Sequence, residues 1–400
     1  MIRVLYVVPQ DDFAAHYMVG ISKKILQQIA AFERLGCDVS LFYFENNCIK
    51  IKRQGKICAT YKISKLRWKL GDITAVLNMH FGNKKDIYDL IYLRKNMITP
   101  FSLHSIKTMR KYAKQIICEI PTYPYEAEAM GNVAKRSFFT KIRPFCVFMC
   151  DVFLRRFLKK YIACFTVIGE MPSGGMVFGV PAIHIENGTE SFPLRSKTFG
   201  KTVEFIGVAA VHYWHGYDRL IHGLHRYYMS GGEEIIIFHI VGLGPEIESL
   251  KQLAINLKLG ERVMFHGIKT GSELDELFNR VDIGIGSLGL HRSGISASAT
   301  LKAREYCARQ IPFIVAGYDS AFKENLIWRL QVSSNDEPIK IQDVLNFSNQ
   351  FRADAAICPI ADYRDEMRDY ALKNLSWDVQ IRKILELSST PSSVEVKGNR

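Results

Sequence analysis

Residues 234–258 read EIIIFHIVGLGPEIESLKQLAINLK, and the order of elements in this stretch decides the fold. Residues 234–242 are apolar and β-branched without alternation, the mark of a strand buried on both faces in a parallel sheet. Val241-Gly242-Leu243-Gly244-Pro245-Glu246 then turns the chain. Its glycines let backbone come close to a ligand, and Pro245 suits the first position of a helix. Apolar residues at helical spacing follow over 245–258. The helix start offers unpaired N–H groups to an anion. The third glycine of a dinucleotide G-x-G-x-x-G would fall at Ile247, which argues against a nicotinamide dehydrogenase.

The same alternation extends outward on both sides. Strands are expected at 203–210, 262–267, 282–287 and 311–316, with helices at 216–229, 272–280 and 299–309. Residues 187–200, with Asn-Gly, Pro193, Ser and Lys, read as a turn and linker. Before them, IRVLYVV (2–8), a helix from the Gly20 loop to Gly36 and CDVSLFYF make a first βαβ unit. DLIYLR (89–94), a helix near 103–114, QIICEI (115–120), 160–168 and 182–186 continue it. The fold class is therefore α/β, with two tandem Rossmann-like doubly wound domains over residues 1–190 and 200–365. Ligands of such folds lie at the carboxyl ends of the strands, and a cleft between the domains is the expected site. Residues 389–400 are polar and read as a disordered tail.

The 400 residues are 48% hydrophobic, 23% charged and 12% aromatic, which excludes a disordered, collagen-like or disulfide-stapled chain. No run of about 18 uncharged apolar residues occurs, and the start lacks signal-peptide regions. Nine cysteines without a CxxC pair suggest reduced thiols and a cytoplasmic location. Residues 1–200 carry 30 Lys and Arg against 15 Asp and Glu, whereas 201–400 carry 23 against 25. A basic first half favours anionic partners. Within it, residues 135–161 mix aromatics with Lys and Arg around a single acid, Asp151, and a break is expected at Pro144. Such a segment suits an anionic membrane surface, or equally a core helix with a basic outer face. No helix-turn-helix, RNP or zinc-finger pattern supports a nucleic-acid partner.

Four segments at strand ends carry the remaining chemistry. Residues 293–306, SGISASATLKAREY, place small and hydroxyl residues before a helix, a workable diphosphate cradle. Gly294 and Leu301 belong to that cradle, Lys302 and Arg292 stand beside it, and Glu305 could accept hydrogen bonds from two ribose hydroxyls. Residues 211–220, VHYWHGYDRL, form an aromatic loop holding His212, His215 and Arg219. No carboxylate or cysteine at ligand spacing accompanies the histidines, so no metal is assigned. In the first half, the Gly20 loop feeds Lys23 and Lys24, and Glu119 precedes a Pro/Tyr turn. Glu119 is either an acceptor-side polar group or a paired core residue.

Taken in order, these segments resemble the group-1 (family 4) nucleotide-sugar-dependent glycosyltransferases of the GT-B fold. IVGLGPEIESLKQLAINLKLGERVMFHG and LKAREYCARQIPFIVAG are similar to that family's second-domain blocks, and YALKNLSWDVQIRKIL to its closing helix. The Gly20 loop, EIPTYPYE and IENGTE resemble the branch that builds cell-surface polysaccharides. The resemblance implies transfer of a sugar from a nucleoside-diphosphate donor to an acceptor hydroxyl, retaining and metal-independent, with no cofactor. The acceptor would be lipid-linked or an oligosaccharide, in capsular or exopolysaccharide synthesis at the inner membrane face. It further implies acceptor binding on 1–190, donor binding on 200–365 and a closing helix over 366–388. Glu305 matches the second glutamate of the family's E-x7-E motif. Gly242 and Gly244 would lie under the nucleotide, His266 and Gly267 would border the base, and Gly20 would approach the diphosphate.

Two departures stand out. Ala297 occupies the position of the first motif glutamate, and Ala209 and His215 occupy the region of the usual diphosphate-binding Arg and Lys. Phosphate contacts then fall to His215, best when protonated, Arg219, Arg292 or Lys302. Two alternatives follow: a GT-B-shaped sugar-nucleotide-binding subunit with little catalysis, and a nucleotide-sugar epimerase.

Overall fold

The computed structural model describes residues 1–400 except 16–17, 127–137, 171, 194–199, 295–298, 324, 353–362 and 390–400. The chain divides into two compact units, Met1–Glu186 with Trp377–Arg400, and Asn187–Ser376.

The first unit holds β1 (Ile2–Asp12), β2 (Cys37–Glu45), β3 (Cys48–Arg53), β4 (Lys56–Lys62), β5 (Tyr88–Arg94), β6 (Ala113–Tyr123), β7 (Cys164–Gly169), β8 (Met176–Val177) and β9 (Val180–His184). They form one sheet in the order β4-β3-β2-β1-β5-β6-β7-β9-β8. The pairings from β2 through β9 are parallel. β3 and β4 add an antiparallel extension beyond β2 that the run of Lys and polar residues at 50–62 had hidden. Val4 through Val8 and Leu90 through Leu93 are fully buried, as expected of central strands covered on both faces. The helix Trp377–Ser389 belongs here, where the Trp377 indole N–H donates to Gln27 Oε1 at 3.1 Å.

The second unit holds β10 (Val203–Val208), β11 (Ile236–Val241), β12 (Val263–Phe265), β13 (Ile283–Ile285), β14 (Phe313–Ala316) and β15 (Arg329–Val332). The sheet runs β12-β11-β10-β13-β14-β15, with all pairings parallel. The strand order reverses between β10 and β13, the place where open α/β sheets bind ligands. Helices Tyr217–Met229, Ile247–Asn256, Gly271–Arg280 and Leu301–Ala308 make the crossovers.

Four boundaries differ from the sequence expectation. Met367, Ala371 and Leu375 pack into the second unit's core, so the returning helix begins at Trp377 and not at 366. The second unit begins at Asn187, and the Thr189 N–H donates to the Leu375 carbonyl at 2.8 Å. The helix Phe138–Leu154 runs through Pro144 without a break. The proline removes one amide donor from the ladder, and the rest of the helix carries on past it. Finally, the last helix extends to Ser389, and residues 390–400 lie outside the described part.

Candidate functional site

At the reversal between β10 and β13, the loops leaving both strands touch. The Leu288 N–H donates to the His215 carbonyl at 2.9 Å, and the Gly289 N–H to the Trp214 carbonyl at 3.2 Å. The helix Leu301–Ala308 starts beside them, and Thr300 makes no side-chain cap, so the first amides have no such partner. Tyr306 anchors this helix, its hydroxyl donating to the carbonyls of Ile206 and Ile285.

Lys302 is the feature that marks the site. Its ammonium is buried and has no hydrogen-bond partner among the described residues. It lies 5.7 Å from the centroid of the Tyr217 ring, and the Tyr217 hydroxyl is likewise buried without a partner. Burial lowers the Lys302 pKa to about 7. An unpaired cation in such a place destabilises the fold unless something anionic arrives to meet it. Sequence reading singled out Lys302 but passed over Tyr217, whose position at the end of VHYWHGY carried no motif signal.

His215 faces the same charge, and it differs from expectation. Its Nδ1 accepts the His212 N–H at 2.9 Å, which leaves the ring proton on Nε2. Burial first, and then the Lys302 charge, lower its pKa to about 2. His215 is therefore a neutral N–H donor, not the imidazolium expected from its sequence context.

The two arginines are also redirected. Arg219 is buried and donates to the carbonyls of Glu337 and Leu288 and to Asn335. Arg292 grips Asp218 through two bonds of 2.8 Å, together with Asp336 and the Tyr213 carbonyl. Both brace loops, because the loops supply acceptors that saturate the guanidinium forks. Glu305 pairs with Arg309 at 3.2 Å, one helical turn on, and Arg309 is held in turn by Asp275.

Gly242 and Gly244 have a packing role. A side-chain carbon at Gly242, where φ is +121°, would lie 1.9 Å from the Ala209 carbonyl oxygen. At Gly244 it would lie 2.1 Å from the Val211 carbonyl oxygen. The two glycines let the turn after β11 close onto the backbone that follows β10. Gly267 and Gly294 sit in turns with φ +64° and +70° and open space around them. Leu301 is half-buried at the helix start, and Gly20 is exposed in the first turn of the helix Val19–Arg34, again with open space. His266 follows β12 directly. Ala297 lies outside the described residues.

In the first unit, Glu119 lies inside the core, fully buried, and cannot meet a substrate. Lys24 Nζ, Gln28 Nε2 and the Tyr92 hydroxyl donate to it at 3.0, 2.8 and 2.8 Å, and Arg94 adds a fourth bond. Burial alone would raise its pKa, but Lys24 and Arg94 outweigh that and hold it at about 2. The partners come from two other elements, the helix Val19–Arg34 and β5, far from Glu119 in sequence, which is why residue spacing could not reveal the cluster.

Among the described residues, no three His, Cys, Asp or Glu side chains gather to hold a metal. No helix among them is long and apolar enough to cross a membrane.

The fold is that of the GT-B glycosyltransferases. A glycosyltransferase from Rickettsia africae aligns at TM-score 0.60 and 12% identity, over 97% of each chain. Sucrose-phosphate synthase from Thermosynechococcus elongatus aligns at 0.64 and 14%, over 97% of this chain and 98% of its own. HepE of Anabaena, solved with UDP and glucose, aligns at 0.57 and 14%, over 96% and 99%. The chain matches no family model and no curated protein by sequence.

Proposed function

We propose that this chain is a nucleotide-sugar-dependent glycosyltransferase whose donor diphosphate is held by the second unit at Lys302. The observation that carries the reading is the buried, unpartnered ammonium at the strand-order reversal. A diphosphate supplies the charge that Lys302 lacks, and the His215 Nε2–H and the first amides of the helix Leu301–Ala308 add neutral donors. In the reaction, the bond from the sugar's anomeric carbon to the diphosphate oxygen breaks. The electron pair leaves with the diphosphate, and Lys302 stabilises that charge as it develops. The acceptor oxygen bonds to the anomeric carbon and passes its proton to the departing diphosphate. UDP and UDP-glucose complexes of HepE support a nucleotide-sugar donor.

Finer features belong to the same proposal: the family-4 polysaccharide branch, a retaining, metal-independent course, Glu305 toward the ribose, and acceptor binding by the first unit. A lipid-linked acceptor is supported by the helix Phe138–Leu154. Phe145, Met149 and Phe153, four residues apart, are 48, 49 and 54% exposed, and the Arg156 guanidinium stacks 4.4 Å over Phe153. That stripe fits an anionic membrane surface.

The test is a panel of UDP-, GDP- and ADP-sugars incubated with the protein and a lipid-linked acceptor extract. Release of nucleoside diphosphate with at least one donor, abolished in Lys302→Met, is expected. Release undiminished in the variant sinks the assignment of Lys302. A second reading, a binding subunit with little turnover, is favoured by Ala297 in place of the motif glutamate. Turnover that emerges only in Ala297→Glu would select it.

A further inference from the structure

The helix Phe138–Leu154 carries three sulfur side chains that the donor site does not use, Cys146, Met149 and Cys150. They stand at i, i+3 and i+4, so one helix face presents all of them. Cys146 and Cys150 are exposed free thiols, and Met149 is 49% exposed. By contrast Cys37, Cys118, Cys164 and Cys307 are buried, and of the other described cysteines only Cys58 is exposed. Exposed free thiols are a chemical liability on a protein surface, since they are the ones that oxidise. Two of them on one turn, with a thioether between, call for a use.

The spacing favours a bridging ion over a disulfide. Side chains four apart on a helix have Cβ atoms about 5–6 Å from each other, beyond the roughly 3.5–4.5 Å that a disulfide takes. Two thiolates each about 2.3 Å from one metal stand up to about 4.6 Å apart, which rotation of the side chains reaches without moving the helix. The ligand set then selects the ion. The helix has one carboxylate and no histidine. That carboxylate, Asp151, is turned into the unit, where it accepts from the Ile98 N–H and the Tyr125 hydroxyl. Mg2+ and Ca2+ need oxygen ligands, and a structural Zn2+ site needs four donors in a tetrahedron. Two thiolates and a thioether are three donors, all soft, and soft sulfur sets select Cu(I).

We propose that Cys146, Met149 and Cys150 form a binding site for a soft monovalent cation, Cu(I) or its redox-inert analogue Ag(I). As the ion binds, each thiol gives its proton to solvent and forms a sulfur–metal bond, while the Met149 thioether lends a lone pair and loses nothing. No electron changes hands. The site rests on neither the donor reading nor the reaction.

The test is titration of the reduced full chain, without oxygen, with Ag(I), and with Cu(I) presented by a chromogenic chelator that competes for it. Wild type is expected to take up one equivalent more than the Cys146→Ser/Cys150→Ser double variant, with no change in its oligomeric state. Either serine variant alone should weaken binding about a hundredfold or more, and Met149→Leu about tenfold. Cys58→Ser should bind as wild type does, and an excess of Zn2+ should leave the bound Ag(I) in place. The substituted side chains are exposed, so every variant should keep the wild-type urea midpoint. Equal uptake by wild type and the double variant overturns the site, as does undiminished affinity in Met149→Leu. Displacement by Zn2+, loss of the ion in Cys58→Ser, or half an equivalent taken up as two chains associate overturns it too.

Discussion

Lys302 and Glu119 are both buried charges, and their surroundings send them to opposite roles. Four donors surround Glu119, so its charge holds the first unit together. Glu119→Gln strands Lys24 and Arg94 and should cost about 3–5 kcal/mol, read as a lower urea midpoint. Its pKa is depressed on folding from 4.5 to about 2, so this stabilisation is full above pH 4.5 and is lost as pH falls through about 2. An acid titration of the variant should lack that loss. Lys302 has no such partner among the described residues. Lys302→Met should gain about 1–3 kcal/mol in the same urea assay while losing diphosphate binding, the trade-off of a site built for a ligand. Its folded pKa of about 7 lies below the unfolded 10.5, so its burial penalty is full below pH 7 and vanishes as pH rises past 10.5. A bound diphosphate favours the charged form, so nucleotide binding should take up a proton. Affinity should fall toward about tenfold per pH unit above pH 7, and the profile should be flat in Lys302→Met. Lys302 was legible in the sequence because it stands in a motif-bearing helix start. The diversion of Arg219 and Arg292 was not, since Asn335, Asp336 and Glu337, which help hold them, are more than forty residues from either.

Among elements, β11 and the glycine turn after it were readable because continuous apolar character and Gly-x-Gly-Pro are local signals. What they could not tell is why the glycines are there. The answer is the backbone of residues 209–211, which the turn must touch. Gly244→Ala should therefore lower the thermal midpoint even without nucleotide, and a variant as stable as wild type would contradict a packing role. The antiparallel β3–β4 extension escaped notice because its outer strand is largely exposed and carries no core pattern. The helix Phe138–Leu154 is tied to its unit by Asp151, which accepts from the Ile98 N–H and the Tyr125 hydroxyl at 2.6 Å each, leaving the Phe145–Phe153 stripe outside. Wild-type protein should float with vesicles rich in anionic lipid and less so in high salt, and Phe145→Asp with Phe153→Asp should remain behind. Equal flotation of the double variant removes the membrane role of this helix.

At the scale of the molecule, the alternation of strands and helices declared two doubly wound sheets, and both are present. The point at which the chain returns to the first unit was misplaced by about one helix. Residues 363–389 are helical on both sides of Ser376, and only burial of Met367 and Leu375 in the second unit's core, and of Trp377 beside Gln27 of the first unit, separates them. The proposed function requires that the second unit receive a nucleoside diphosphate on Lys302. Calorimetric titration of UDP, GDP, ADP and CDP into wild type and Lys302→Met, side by side, tests it most directly. Saturable binding of at least one by wild type, weakened about thirtyfold or more in a variant that is folded and more stable, is the predicted result. Equal affinity in the two proteins, or no binding by a folded wild type, would contradict it.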